Sequence, residues 1–275
     1  MKQADAILSA ETKFISLLEE FFRKTWGSTP LYSHDIDHHR RVWKYCKELI
    51  VITEAEETSA DKLIIASYLH DIGMSTDPGF RHGSLSSELC RSFLSENDLD
   101  AVRFRDLLEA IEFHDEKEYK HKLSESNPVL RILSASDDLD AFGYTGIYRY
   151  LEIYLTRGIS RQEIGFRIRE NASGRFGQFV SQFGHFPDMI EKHRKRYLIL
   201  DDFMAEYNSN IHNRSTVQLI PPWKPMIVDI INDMIIEKKS PYEIRTICDR
   251  YPHSRHITEF ADNLVSELNV TSWKQ

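Results

Sequence analysis

The chain has 275 residues, room for one large domain or one domain with an appendage, and its 41% hydrophobic and 28% charged residues are the balance of a folded protein. A formal net charge of −8 excludes a general affinity for a nucleic-acid polymer, though basic residues can still gather around one phosphate. Cys46, Cys90 and Cys248 lie far apart without a CxxC pair, which excludes a disulfide framework and a zinc finger and fits a reducing compartment. No run approaches the roughly 18 apolar residues of a membrane span. The opening "MKQADAILSAETKF" lacks the apolar core of a signal peptide. The expectation is a soluble, cytoplasmic protein.

In chain order, helical periodicity is nearly continuous. Residues 5–25 set Ile7, Leu8, Phe14, Leu17, Leu18, Phe21 and Phe22 on one stripe, and 36–54 do the same with His38, Val42, Tyr45, Cys46 and Leu49. The next helix starts at the N-cap Ser59, carries Leu63, Ile64, Ile65, Ala66 and Leu69, and ends at His70 with Gly73 just beyond. Helices over 83–95 and 98–113 follow, the second capped by Asp98. "SNPVLRILSASDDLDAFG" has Asn127 as N-cap, Pro128 at the first helical position and Gly143 as its stop. Further helices are predicted over 144–156, 160–170, 187–208, 225–238, 241–250 and 254–269. Alternating strand patterns are absent, so the fold class is all-α. The polar, then proline-rich stretch 208–225 reads as a linker between a main domain, 1–207, and a helical appendage, 226–275.

"SYLHDIGMSTDPGFRHGS" places His70 and Asp71 side by side at the end of an apolar helix. A buried helix end is costly for two such groups unless each finds a partner. Neighbours about 100° apart cannot stack on one face, but both can reach one ion in the notch at the helix end. Imidazole nitrogen with carboxylate oxygen is a donor mixture that manganese, iron, zinc and cobalt accept. Two donors do not hold a catalytic ion. His38 lies on a helix able to pack against that of His70, and Asp137 follows Leu130 by seven residues and Leu133 by four, so it faces the core.

The order His, His-Asp, Asp resembles the HD-domain metal-dependent phosphohydrolases. "HDIDHHRRV" (His34 to Val42) is similar to the first-histidine segment of the small bacterial branch, HDxxHxxRV. "YLHDIG" matches its His-Asp pair, and "SDDLDAFGYTGIYR" resembles its closing segment. The resemblance spans roughly residues 30–155. It implies a helical bundle, a divalent metal held by His38, His70, Asp71 and Asp137, and hydrolysis of a small phosphorylated substrate, with a nucleotide as the expected class. The metal is a transition ion (Mn, Fe, Zn, Co or Ni), with Mg admitted, in one or two copies. Asp71 or His114 would accept the proton from water.

The sequence departs from the alarmone hydrolases and the cyclic-dinucleotide phosphodiesterases, because Gly73, Met74 and Ser75 follow "HDI". His82 and His114 are open to two readings, donors to a second ion or lining of the substrate pocket. The 12-residue step from His70 to His82 leaves little chain for a second site and favours one ion. Arg41, Arg81 and Arg149 border the motifs and are phosphate-clamp candidates, while Asp140 is placed to orient a ligand histidine. His34, His39, His121, His185, His193, His212, His253 and His256 are expected on solvated faces. Two rival functions share these residues: a di-iron oxygenase using His38, His70, Asp71, His82, His114 and Asp137, and a non-catalytic ligand-binding or regulatory module. A homo-oligomer is compatible with every reading.

Overall fold

Residues 2–56, 59–79, 81–116, 127–212, 223–252 and 254–269 are described by a computed structural model. Among them are twelve α-helices and no strand, so the fold is all-α as expected. No helix among these residues is long and apolar enough to cross a membrane. Cys46, Cys90 and Cys248 are free thiols.

The contacts divide the chain into two units, Met1–Thr29 with His34–Asp140 and Pro30–Ser33 with Ala141–Gln275. Most of the stretch expected as a linker, 213–222, lies outside the described residues, and a helix runs up to it through His212.

The first unit holds α1 (Lys2–Trp26), α2 (Ile36–Ile52), α3 (Ser59–Leu69), α4 (His82–Glu96), α5 (Arg105–Phe113) and α6 (Pro128–Asp140). α2 packs on α1, α3 and α6 at once, so it buries more than one stripe: Trp43 and Ile50 are inside together with Val42, Tyr45, Cys46 and Leu49. Its start is set by Asp35, whose carboxylate accepts from the amides of Asp37 and His38 at 3.1 and 3.4 Å. Burial, and then the charge of Asp37, pushes the Asp35 carboxyl up to about 7. α6 starts as its sequence predicts, with Asn127 Oδ1 accepting from the amides of Val129 and Leu130 at 3.0 and 3.1 Å.

The helix predicted over 98–113 begins only at Arg105. Asp98 takes a left-handed φ of 55° and ends α4, and the Asp100 carboxylate folds back to accept from the Val102 amide at 2.9 Å.

The second unit holds α7 (Gly143–Thr156), α8 (Arg161–Phe183), α9 (Pro187–His212), α10 (Trp223–Glu237), α11 (Ile244–Cys248) and α12 (Arg255–Asn269). α8 runs thirteen residues past its predicted end at 170, through a stretch poor in helix formers, because it packs along α9. Ile164, Ile168, Ala172, Phe179 and Phe183 are its buried face.

Candidate metal centre

The centre is built from the ends of several helices of the first unit. His38 stands in the first turn of α2, and His70 and Asp71 follow the last residue of α3. His82 opens α4, His114 caps α5 and Asp137 lies in the last turn of α6. All six are buried. Two glycines let the backbones come close enough. A Cβ on Gly73 would sit 2.4 Å from the His82 carbonyl, and one on Gly83 2.5 Å from that of Glu112. The short helical turn Ile72–Ser75 therefore lies directly on α4, and α4 on α5.

Each histidine is turned the same way. His70 Nδ1 is 3.0 Å from the Ser67 carbonyl, His82 Nδ1 2.7 Å from that of Gly79, and His114 Nδ1 2.7 Å from that of Ile111. His38 Nδ1 is 2.9 Å from Asp140 Oδ2. A carbonyl or an ionised carboxylate only accepts, so Nδ1 donates in every ring and Nε2 is left facing inward.

What the Nε2 atoms face is the Asp71 carboxylate. Its Oδ2 lies 3.5 Å from His38 Nε2 and 3.3 Å from His70 Nε2, and its Oδ1 lies 3.4 Å from His82 Nε2 and 3.1 Å from His114 Nε2. Asp137 Oδ1 completes the first group at 3.7 Å from His38 and 3.9 Å from His70. The structure thus collects two donor groups, His38, His70, Asp71 and Asp137, and Asp71, His82 and His114, sharing one carboxylate.

Lone pairs converging on a carboxylate repel unless protons or cations lie between them. His38 Nε2 and His70 Nε2 are only 3.2 Å apart, and His82 Nε2 is buried without a hydrogen-bond partner. Burial pushes the Asp71 carboxyl up, but charge on His70 and hydrogen bonds from His114, His38 and His70 outweigh it and hold it well below the usual range. Burial lowers His114, but the bond to Asp71 and its charge win and raise it to about 9. The donor set fits a divalent ion in chemistry: ionised carboxylates and imidazoles whose Nε2 protons a cation would replace, gathered in a dry place.

Asp140, fully buried, braces this set. Besides His38 it accepts from Arg41 Nε at 2.8 Å and Arg41 Nη2 at 3.0 Å. Arg41 thus meets a carboxylate, a different partner from the phosphate the sequence suggested. Arg81 is exposed and pairs with Asp77 at 3.4 Å. Arg149, in the second unit, is buried and donates through Nε to the Ser33 carbonyl at 2.9 Å.

Three histidines expected on solvated faces are buried: His34, His39 and His193. His34 Nε2 is 3.7 Å from Asp71 Oδ2, the fifth imidazole around that carboxylate. His39 lies behind His38 and His70. For His39 the misreading comes from assigning α2 a single buried stripe. Position 39 would have been found by asking which residues flank Val42 and Trp43 on a helix packed from several sides. His185, His212 and His256 are exposed as expected, while His121 and His253 lie outside the described residues.

Residues 35–141 match the family model of the HD domain. The first unit therefore carries a segment that matches the HD domain, a domain found in general in metal-dependent hydrolases acting on small phosphoesters. No curated protein and no solved structure matches the chain.

Proposed function

We propose that the protein is a two-ion phosphohydrolase acting on a nucleotide or a related phosphoester or phosphoanhydride. The observation that carries this reading is Asp71, whose two carboxylate oxygens each face a separate pair of imidazole Nε2 atoms. His38, His70, Asp71 and Asp137 would hold one ion and Asp71, His82 and His114 the other. This replaces the one-ion expectation drawn from the 12-residue step, because α4 starts at His82 itself and rests on Gly73, so little chain is needed. Bound divalent ions supply a water of lowered pKa and polarise the phosphoryl oxygens.

The chain's own part is positional. Asp140 and Arg41 hold the His38 ring, and backbone carbonyls hold His70, His82 and His114, so the donors meet substrate already oriented. With His114 engaged as a donor, the proton-handling role passes to His34, which stands outside both donor groups beside Asp71 Oδ2. The nucleotide class is supported by the resemblance of the closing segment, Ser136 to Arg149, to nucleotide-hydrolysing members.

The test is metal analysis by mass spectrometry with a screen of phosphorylated metabolites. Two equivalents in the wild type, falling to about one in His114→Ala, support two ions; one equivalent in both returns the centre to a single ion. The same six donors also suit a di-iron oxygenase. Two equivalents of iron with oxygen uptake, and no phosphate release across the screen, would establish that reading instead.

A further inference from the structure

We propose that His39 is a positioning residue for the metal donor His70, acting through one shared backbone oxygen. The juxtaposition is specific. His39 Nδ1 lies 2.9 Å from the Ser67 carbonyl, and His70 Nδ1 lies 3.0 Å from the same oxygen. Ser67 is in the last turn of α3, where carbonyls run out of partners within the helix. A carbonyl has two lone pairs, so it accepts both rings at once.

The ring of His39 is fully buried and lies 4.9 Å from His70 and 5.1 Å from His38, centre to centre. On its other side are Phe22 at 4.7 Å and Trp26 at 6.5 Å. An aliphatic side chain would fill that apolar space at lower cost, because His39 Nε2 is buried there with no hydrogen-bond partner. What the imidazole provides, and an aliphatic chain lacks, is the Nδ1–H donor to Ser67.

That donor matters because χ2 of histidine is roughly two-fold. A half-turn of the His70 ring would put Cδ2 in the place of Nδ1 and Cε1 in the place of Nε2, so that a carbon and not a nitrogen faced Asp71. The Ser67 carbonyl fixes the ring, and His39, pulling from a second direction, fixes the carbonyl. This role rests on His70 being a metal donor, as proposed above.

The test compares His39→Leu, which removes the donor, with His39→Asn, whose Nδ2 sits one bond from Cγ as Nδ1 does in histidine. Metal-free protein is titrated with cobalt(II) alone, followed by its visible absorption. Leu is expected to weaken cobalt binding about 10- to 100-fold, the usual cost of losing an outer partner of a ligand. Asn is expected to bind within about threefold of wild type. Equal binding by all three proteins overturns the proposal, and equal weakening by Leu and Asn also overturns it, since the ring would then serve as packing.

Long-range ¹H–¹⁵N NMR of metal-free wild type provides a check independent of any variant. Both His39 and His70 should be protonated at Nδ1, and a proton on His39 Nε2 alone overturns the shared-carbonyl role. If the wild type binds no cobalt while both rings show the expected tautomer, the failure lies in the metal reading and the pairing stands.

Discussion

Asp71 and Glu152 are both buried carboxylates, one in each unit, and they are held in opposite states. Asp71 is surrounded by five imidazoles, and charge on His70 with hydrogen bonds from the ring overcomes burial to keep it ionised. Glu152 is met by neutral donors, the Ser33 amide and the Tyr148 hydroxyl at 2.7 Å, and burial prevails, raising its carboxyl above the usual range. Removal from water by itself protonates an acid. An ionised carboxylate in a dry interior needs groups that carry protons or that give them up to a cation. The comparison separates a structural acid from one placed to hold a cation.

The largest expected effect follows from removing the charge that distinguishes the two. Asp71→Asn keeps the shape but leaves five imidazoles around a neutral amide. Phosphate release should fall about a thousandfold or more, as when a preorganised charge is lost, and metal content should drop below one equivalent. Wild-type metal content in this variant would place the ions elsewhere.

The next effect lies in the brace. Asp140→Ala leaves the Arg41 guanidinium buried without its carboxylate, which should cost about 3–5 kcal/mol in urea unfolding. The double variant Arg41→Met, Asp140→Leu should regain most of that stability while still binding metal more weakly, because His38 has lost its Nδ1 partner. Full recovery of metal affinity in the double variant would show that the His38–Asp140 bond does not matter.

His193 extends the comparison to a buried imidazole whose charge is opposed by burial and by neighbouring cations. Burial, then Arg196 and Lys192, lowers it from 6.5 to about 2. It is therefore neutral when folded and takes up a proton on unfolding below pH 6.5. Its contribution to stability is complete above that pH and is lost as the pH falls toward 2. His193→Leu should flatten the acid limb, by about 1–2 kcal/mol between pH 7 and pH 5. Parallel pH profiles of melting temperature in the two proteins would refute this.

The smallest effect belongs to Glu152. Its raised pKa favours the neutral acid, so the wild type gains from this group at low pH and loses that gain as pH rises through the raised value. Glu152→Gln should change stability by less than about 1 kcal/mol at pH 5, a typical hydrogen-bond adjustment, and should remove the fall at higher pH. A large loss at pH 5 would mean that Glu152 is ionised after all.

Much of this was legible in the residues. Helix positions follow from spacing, and Asn127 and Pro128 mark the start of α6 where the structure has it. The grouping of His38, His70, Asp71 and Asp137 followed from motif order and inward-facing positions. What escaped was what backbone geometry decides. The closeness of His82 to Asp71 depends on glycine contacts at Gly73 and Gly83, which sequence separation does not reveal. The partner of Arg41 depends on which carboxylate α6 brings to it, and the burial of His39 on how many neighbours α2 has.

The two donor groups also differ in how much chain each must gather. The contact from Asp71 to His114 encloses 43 residues, and that from His38 to its brace Asp140, outside the donor groups, encloses 102. The entropy of bringing chain ends together grows only logarithmically, so the wider span costs about 0.8 kcal/mol more. The difference in time is greater than the difference in energy. As the chain is made from its first residue, Asp71, His82 and His114 all emerge before Asp137 and Asp140 exist. A half-made chain can bring His82 and His114 to Asp71 while His38 still lacks the carboxylate that will orient it. The shared aspartate thus belongs first to the local group and only later to both.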